Sequence, residues 1–187
     1  MAKAEERRER ERQKRLGCSA ESLTLLAAAA LAQAAIVALL GPSAPHLLQL
    51  QRATDPDDAR RFLATWSPND LVRFKRHFLV DAWYPCLYAA FLCQRLLDVL
   101  APTRVRATLS AICVLGASLD IFENTLHAGA AFGVFCPSLA DAQDALLRAA
   151  AMAATAKWAL LLPICVFILP GVATLLPLPA GPLKKAS

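Results

Sequence analysis

The sequence lacks the short motifs that mark several large classes of enzyme. It contains no glycine-rich phosphate-binding loop, no G-x-S-x-G nucleophile elbow, no H-E-x-x-H zinc motif and no dinucleotide-binding glycine pattern. Its six cysteines include no C-x-x-C pair, and isolated thiols in apolar segments usually behave as small core groups. Nucleotide-driven chemistry, serine hydrolysis, thiol redox catalysis and a cysteine-based zinc site are therefore not predicted.

The basic residues also lack the distribution that nucleic-acid binding would need. The net charge is +5, but seven of the twenty basic residues lie within residues 3–15, where they alternate with glutamates. We interpret residues 1–21 as a charged cytosolic arm that sets topology and can touch anionic lipid. No nucleic-acid partner is predicted.

Long apolar blocks dominate the rest of the chain. Of the 187 residues 57% are apolar, and they are gathered into runs instead of being spread at amphipathic intervals. Because a helix needs about 20 apolar residues to cross the hydrocarbon layer, four spans are predicted. They cover about 23–40, 78–100, 107–132 and 146–169. The predicted fold is all-α: an antiparallel four-helix transmembrane bundle over 22–177, followed by a short basic tail at 178–187.

The charges that flank the spans predict the orientation. With the N-terminus inside, eleven lysines and arginines lie on the inner side and seven on the outer side. We therefore expect both termini in the cytosol and the protein in the plasma (inner) membrane. The first span is expected to be retained, since it is long for a signal peptide and is followed by a poor cleavage context.

The first loop, residues 41–77, carries two helix-start signals. Thr54-Asp55-Pro56 supplies a cap and a proline for the first turn, which predicts a short amphipathic helix that ends near Trp66. Ser67-Pro68-Asn69-Asp70 repeats the signal, and we expect this second helix to run without a break into the second span. The loop should lie at the interface and could cover a site that opens to that side.

The third predicted span contains a stripe of polar side chains. Asp120, Glu123, Asn124 and His127 are spaced i, i+3, i+4, i+7, which places them on one helix face. A charged group at membrane depth costs roughly 2.5–3.5 kcal/mol on insertion scales, so these groups need partners. The stripe predicts either a functional cavity or a polar clamp between helices, and a plain interfacial role is open for His127.

Antiparallel threading predicts what those partners are. Asp81, near the start of the second span, should lie at the same depth as Asn124 and His127. Lys157, in the fourth span, should lie at the depth of Asp120. We expect Asp120 to be the counter-ion of Lys157, because an unpaired ammonium there would lose its proton. The remaining carboxyl groups would then have Arg95, deeper in the second span, as their nearest further cation.

These residues also carry a resemblance. The pattern Asp81-x-x-x-Pro85-x-x-Tyr88, Asp120-x-x-Glu123-Asn124 and Lys157-Trp158 resembles a family of small four-span bacterial integral membrane proteins of unknown activity. The resemblance covers roughly 76–158 and implies that these residues form one constellation. It implies no activity, and His127 lies outside the pattern.

The favoured function is a polar intramembrane site that binds or acts on a lipid-like amphipathic molecule by acid/base groups. The predicted catalytic residues are Asp81, Asp120, Glu123 and Lys157, and the predicted ligand-binding residues are Tyr84, Tyr88, Asn124, His127 and Trp158. The alternatives are a structural or accessory subunit whose stripe clamps helices, and a small proton-linked transporter, which would need to oligomerise. Homo-oligomers or a membrane-protein partner remain open.

No cofactor and no metal are predicted. Asp, Glu and His can ligate a metal, but di-iron bundles use a Glu-x-x-His pair on each of two helices. Here the spacing is Glu123-x-x-x-His127, and it occurs on one helix.

Overall fold

The computed structural model describes residues 19–53, 55–133 and 140–173, and these residues form α-helices joined by short turns. The helices are α1 Ala20–Leu40, α2 Ala44–Arg52, α3 Pro56–Ala64, α4 Pro68–Asp81, α5 Tyr84–Val99, α6 Arg104–Gly133 and α7 Ala140–Ala173, with a 3-10 turn at Gly41–Ser43 after α1. The predicted all-α class is confirmed. Most of the predicted arm (residues 1–18 of 1–21) and the tail at 178–187 lie outside the described residues.

Three stretches of the described chain are long and apolar enough to cross a membrane. They are Ala20–Leu47, Arg104–Ala131 and Ala142–Ile168. In an apolar segment of 18 residues within each stretch, 17–33% of the residues are buried inside the protein. Large apolar side chains such as Leu31, Met152 and Phe167 are exposed on their outer faces. An apolar exterior of this kind suits lipid, so the fold is compatible with a membrane protein. The second predicted span, 78–100, is not among these stretches.

The second predicted span is divided by a break, which corrects the expectation of one unbroken helix. α4 ends at Asp81, residues 82–83 form a turn, and α5 begins at Tyr84 with Pro85 in its first turn. A proline ring inside a helix clashes with the carbonyl four residues earlier, which here belongs to Asp81. α5 has 16 residues, and a helix of that length spans about 24 Å, less than the roughly 30 Å hydrocarbon core.

The first loop contains more helix than the sequence predicted. A single short amphipathic helix was expected before the second start signal, but α2 precedes it and packs with it. The predicted helix itself is α3, which is capped by Asp55 and ends at Ala64 instead of near Trp66. α4 begins at a capping box in which Ser67 and Asp70 exchange hydrogen bonds.

Two apolar cores lie at opposite ends of the helices. The loop-side core joins α2, α3 and α4 to the ends of α1, α6 and α7 and is built around Leu50, Leu63 and Phe74. The far core joins α5, α6 and α7 around Leu96 and Leu161. The two cores hold the middle of α6 and α7 together, and the predicted polar stripe lies on that middle stretch.

α6 and α7 form the longest helix pair and pack through small side chains. The buried positions of α7 recur at intervals of three and four residues, as in a coiled-coil seam. They are Gln143, Leu147, Ala150, Ala154, Lys157, Leu161, Ile164 and Ile168, and Ala153 is buried beside them. Gly116 of α6 faces this seam, where a Cβ built on it would lie 2.6 Å from Leu161 Cδ2. Close approach of the two helices therefore depends on the missing side chain at Gly116.

We expect Gly116→Ala to destabilise the protein by about 1–3 kcal/mol, because the added methyl group overlaps Leu161. Gly129→Ala is the matched control on the same helix, since its Cβ would meet Leu146 at an ordinary 3.4 Å and alanine favours the helix. Unfolding of both variants in mixed micelles, followed by circular dichroism, measures the difference. Equal stability of the two variants would show that the helices do not approach closely at Gly116.

Asp70 ties the start of α4 to the end of α1. Its carboxylate accepts hydrogen bonds from the Ser43 hydroxyl and from the Ser67 hydroxyl and N–H, and these bonds lower its pKa to about 2. Because the folded pKa lies below the ordinary value of about 3.9, the stabilisation is fully present above about pH 4 and is lost as the pH falls toward 2.

A carboxyl-carbon NMR titration of Asp70 measures this pKa directly. Ser43→Ala should move the titration upward, because it removes the largest of the contributions that hold the carboxylate ionised. An unchanged titration curve in that variant would mean that the contact between α1 and α4 is not formed in solution.

Candidate functional site

Eight polar side chains from four helices meet between the two apolar cores. We call this group the polar cluster. Its members are His77, Asp81, Tyr88, Asp120, Glu123, Asn124, His127 and Lys157.

Lys157 stands at the centre of the polar cluster. Its Nζ lies 2.6 Å from Asp120 Oδ1 and 2.6 Å from Glu123 Oε2, so one ammonium of α7 bridges two carboxyl groups of α6. All three side chains are at least 89% buried. The predicted pairing of Lys157 with Asp120 is present, and the second partner, Glu123, follows from the i, i+3 spacing of the two acids.

Tyr88 connects α5 to this ion pair. Its hydroxyl donates to Asp120 Oδ2 at 3.1 Å, which satisfies the carboxylate oxygen that Lys157 does not contact. The Tyr84 ring packs edge-on against the Tyr88 ring, with 5.3 Å between the centroids. Both tyrosines are half-buried, so their rings form part of the rim of the polar cluster.

Asp81 joins the cluster from the end of α4. Its Oδ2 accepts a hydrogen bond from Asn124 Nδ2 at 2.7 Å and lies 3.6 Å from His77 Nε2. The His77 Nδ1 is hydrogen-bonded to the Phe74 carbonyl oxygen. Asp81 therefore lies level with Asn124, as predicted. The helix break after Asp81 leaves this carboxylate at the edge of the cluster.

His127 and Glu123 approach each other without a hydrogen bond. His127 Nδ1 is 3.8 Å from Glu123 Oε1, and neither atom has a hydrogen-bond partner among the described residues. The His127 side chain is 4% exposed, so the open alternative of a plain interfacial histidine does not fit the structure. Such buried polar atoms normally bind water, a proton or a ligand.

Two predicted residues are placed differently from the rest. Trp158 is 59% exposed, and its ring centroid lies 5.4 Å from Lys157 Nζ, within the range of a cation–π contact. Tyr84 contacts Tyr88 but makes no hydrogen bond with the cluster among the described residues. The ligand-binding roles of both residues stay predictions.

The sequence missed His77 as a member of the cluster. Its signal was the i, i+4 spacing from Asp81, which puts both side chains on one face of α4. Because 78–100 was read as one span, His77 was assigned to the loop outside it. The packing of α4 on the core buries His77 instead, to 1% exposure.

Arg95 forms a separate polar group at the far end of α5. Its Nη1 lies 3.2 Å from Asp98 Oδ2, which also accepts from the Ser22 hydroxyl at 2.6 Å and from the Ser19 N–H at 3.2 Å. This group anchors the start of α1 to α5. The prediction that Arg95 is the nearest further cation for the cluster's carboxyl groups stays a prediction, and the contact shown for Arg95 is the one with Asp98.

An apolar groove runs along the outer side of the seam between α5 and α6. Its volume is about 330 Å³, within the range of roughly 300–1,000 Å³ of small-molecule sites. It is lined by Cys86, Ala89, Ala90, Cys93, Val114, Ala117, Ser118 and Ile121. One end, at Cys86 and Ile121, lies about one helical turn along α6 from Asn124, which binds Asp81.

Within the described ranges, no group of three or more His, Cys, Asp or Glu side chains is arranged to hold a metal ion. No family model, no curated protein and no solved structure matches this chain.

We expect Lys157→Met to destabilise the protein by about 3–5 kcal/mol, because it leaves Asp120 and Glu123 buried without their ammonium. Arg148→Met on the exposed face of the same helix is the control and should change stability by about 0.5 kcal/mol or less. Adding Asp120→Asn and Glu123→Gln to Lys157→Met should recover much of the loss. The free energy of unfolding by a denaturing detergent is measured for the wild type and the three variants. Equal losses of stability for Lys157→Met and Arg148→Met would contradict the prediction.

Proposed function

We propose that the protein binds a lipid-like amphipathic molecule from the side of the bilayer. The apolar tail lies in the groove between α5 and α6, and the polar end reaches the polar cluster. In this proposal α1, α5, α6 and α7 form an antiparallel four-helix bundle in the plasma membrane, with both termini in the cytosol. α5 completes its crossing together with the end of α4.

The position of the groove is the observation that carries this proposal. Cys86, Ala90 and Val114 are exposed, so the groove opens outward on the same side as the apolar surface that would face lipid. Ile121, at one end of the groove, lies about one helical turn before Asn124, which donates a hydrogen bond to Asp81. An apolar channel that ends at a few convergent polar groups is the usual form of a site for an amphipath.

The polar cluster supplies groups for acid/base work on such a molecule. In this hypothesis Asp81 and Glu123 serve as base and acid, and Lys157 or Tyr88 stabilises charge that develops on the substrate. Asp81 is suited to contact the ligand first, since its side chain is 12% exposed whereas that of Glu123 is 1% exposed. Glu123 would act through the inner part of the cluster.

Ala90→Trp should fill the groove and remove a co-purifying amphipath. Ala90 is exposed on α5, so the larger side chain can be accommodated without disturbing a core. Ala159→Trp, on the exposed face of α7, is the matched control. Native mass spectrometry of protein extracted gently from its own membrane should detect one bound lipid-like molecule in the wild type and in Ala159→Trp, and none in Ala90→Trp. Equal occupancy of all three would refute the groove as the binding site.

A structural clamp is the second candidate, and the bridging of α6 and α7 by Lys157 favours it. A protein of this kind would carry no lipid in the groove and would co-purify with a membrane-protein partner. The same mass-spectrometric comparison separates the two candidates, because a partner would remain bound in both tryptophan variants.

A further inference from the structure

The polar cluster contains more acidic side chains than lysines and arginines. It contains three carboxyl groups, Asp81, Asp120 and Glu123, and one lysine ammonium, which contacts the last two. Asp81 is bound by the amide of Asn124 and approached by His77. Because buried carboxylates are stable when a cation or a proton compensates them, the cluster has room for further positive charge.

Unpartnered polar atoms point to the same need. Glu123 Oε1, His127 Nδ1 and His77 Nε2 are buried, and none of them has a hydrogen-bond partner in the described part of the chain. Glu123 is 1% exposed and His127 is 3% exposed. A carboxylate oxygen and a neutral imidazole nitrogen both accept hydrogen bonds, so a donor-rich group would satisfy them better than an anionic one.

The rim of the cluster is suited to a cation. Asp81 and Asp120 retain side-chain exposures of 12% and 11%, and the half-buried rings of Tyr84 and Tyr88 lie beside them. The faces of aromatic rings attract ammonium groups electrostatically. Asp120 is already paired with Lys157 and Tyr88, so an anionic headgroup would meet the carboxylate of Asp81 here, whereas an ammonium would meet a counter-ion beside aromatic rings.

We infer that the ligand is a cationic amphipath, with an ammonium group bound at Asp81 and an alkyl chain in the groove between α5 and α6. This inference rests on the proposed function and adds the chemical class of the ligand to it. The ammonium donates hydrogen bonds to Asp81 and lies against the face of Tyr84.

The test compares three probes with the same chain length: dodecylammonium, dodecyl phosphate and 1-dodecanol. Each is titrated into the protein in phosphatidylcholine nanodiscs, and bound probe is counted by native mass spectrometry. Dodecylammonium should bind about tenfold or more tightly than the other two, since it alone brings a positive charge to the carboxylate of Asp81.

Asp81→Asn should weaken dodecylammonium binding about tenfold, whereas Asp57→Asn on the exposed surface of α3 should leave it unchanged. Tyr84→Phe and Tyr84→Leu provide a second test that does not alter the charged groups. The phenylalanine variant keeps an aromatic face and should bind like the wild type, and the leucine variant should bind more weakly.

The outcomes separate this inference from the proposed function. If dodecyl phosphate or dodecanol binds as well as the amine, and Ala90→Trp abolishes that binding, the preference for a cation is wrong and the groove site stands. Undiminished amine binding to Asp81→Asn also overturns the inference. If none of the three probes binds, both the inference and the proposed function fail.

Discussion

The bridge from Lys157 to Asp120 and Glu123 is the interaction on which the rest of the structure depends. It places an ammonium in the buried seam of α7, where the neighbouring positions are alanines and leucines, and both of its partners are on α6. Small side chains and Gly116 let the two helices approach closely enough for these contacts. Tyr88 donates to the Asp120 oxygen that the bridge leaves open, and Asn124, the residue after Glu123, donates to Asp81.

The helix break at Pro85 explains how a carboxylate from a third helix reaches the site. In an unbroken helix Asp81 would be an ordinary residue of the span, and its carbonyl oxygen would face the ring of Pro85, which has no N–H to donate. The break instead makes Asp81 the last residue of α4 and lets α4 fold over the end of α6, where Asn124 binds it. The loop helices and the site are thus parts of one packed unit, which connects any change at the loop-side core to the edge of the polar cluster.

Most polar residues of the site can be predicted from the sequence, whereas the packing around them is harder to predict. The i, i+3, i+4, i+7 stripe and the opposite direction of neighbouring spans were enough to bring Lys157 to Asp120 and Asp81 to Asn124. His77 is not among the predicted site residues, because the predicted second span begins after it, at 78. Trp158 is among them because the resemblance covers Lys157-Trp158, and its role stays a prediction.

The sequence by itself determined the helical class, three long apolar helices and the polar face of α6, because these follow from composition and from the 3.6-residue period. Only the tertiary structure decided that residues 78–100 are two helical pieces, that α2 joins the loop, and that Arg95 contacts Asp98. Those features depend on which surfaces pack against one another. Local patterns record the faces that a helix offers, whereas the choice among possible partners depends on contacts between residues far apart in the chain.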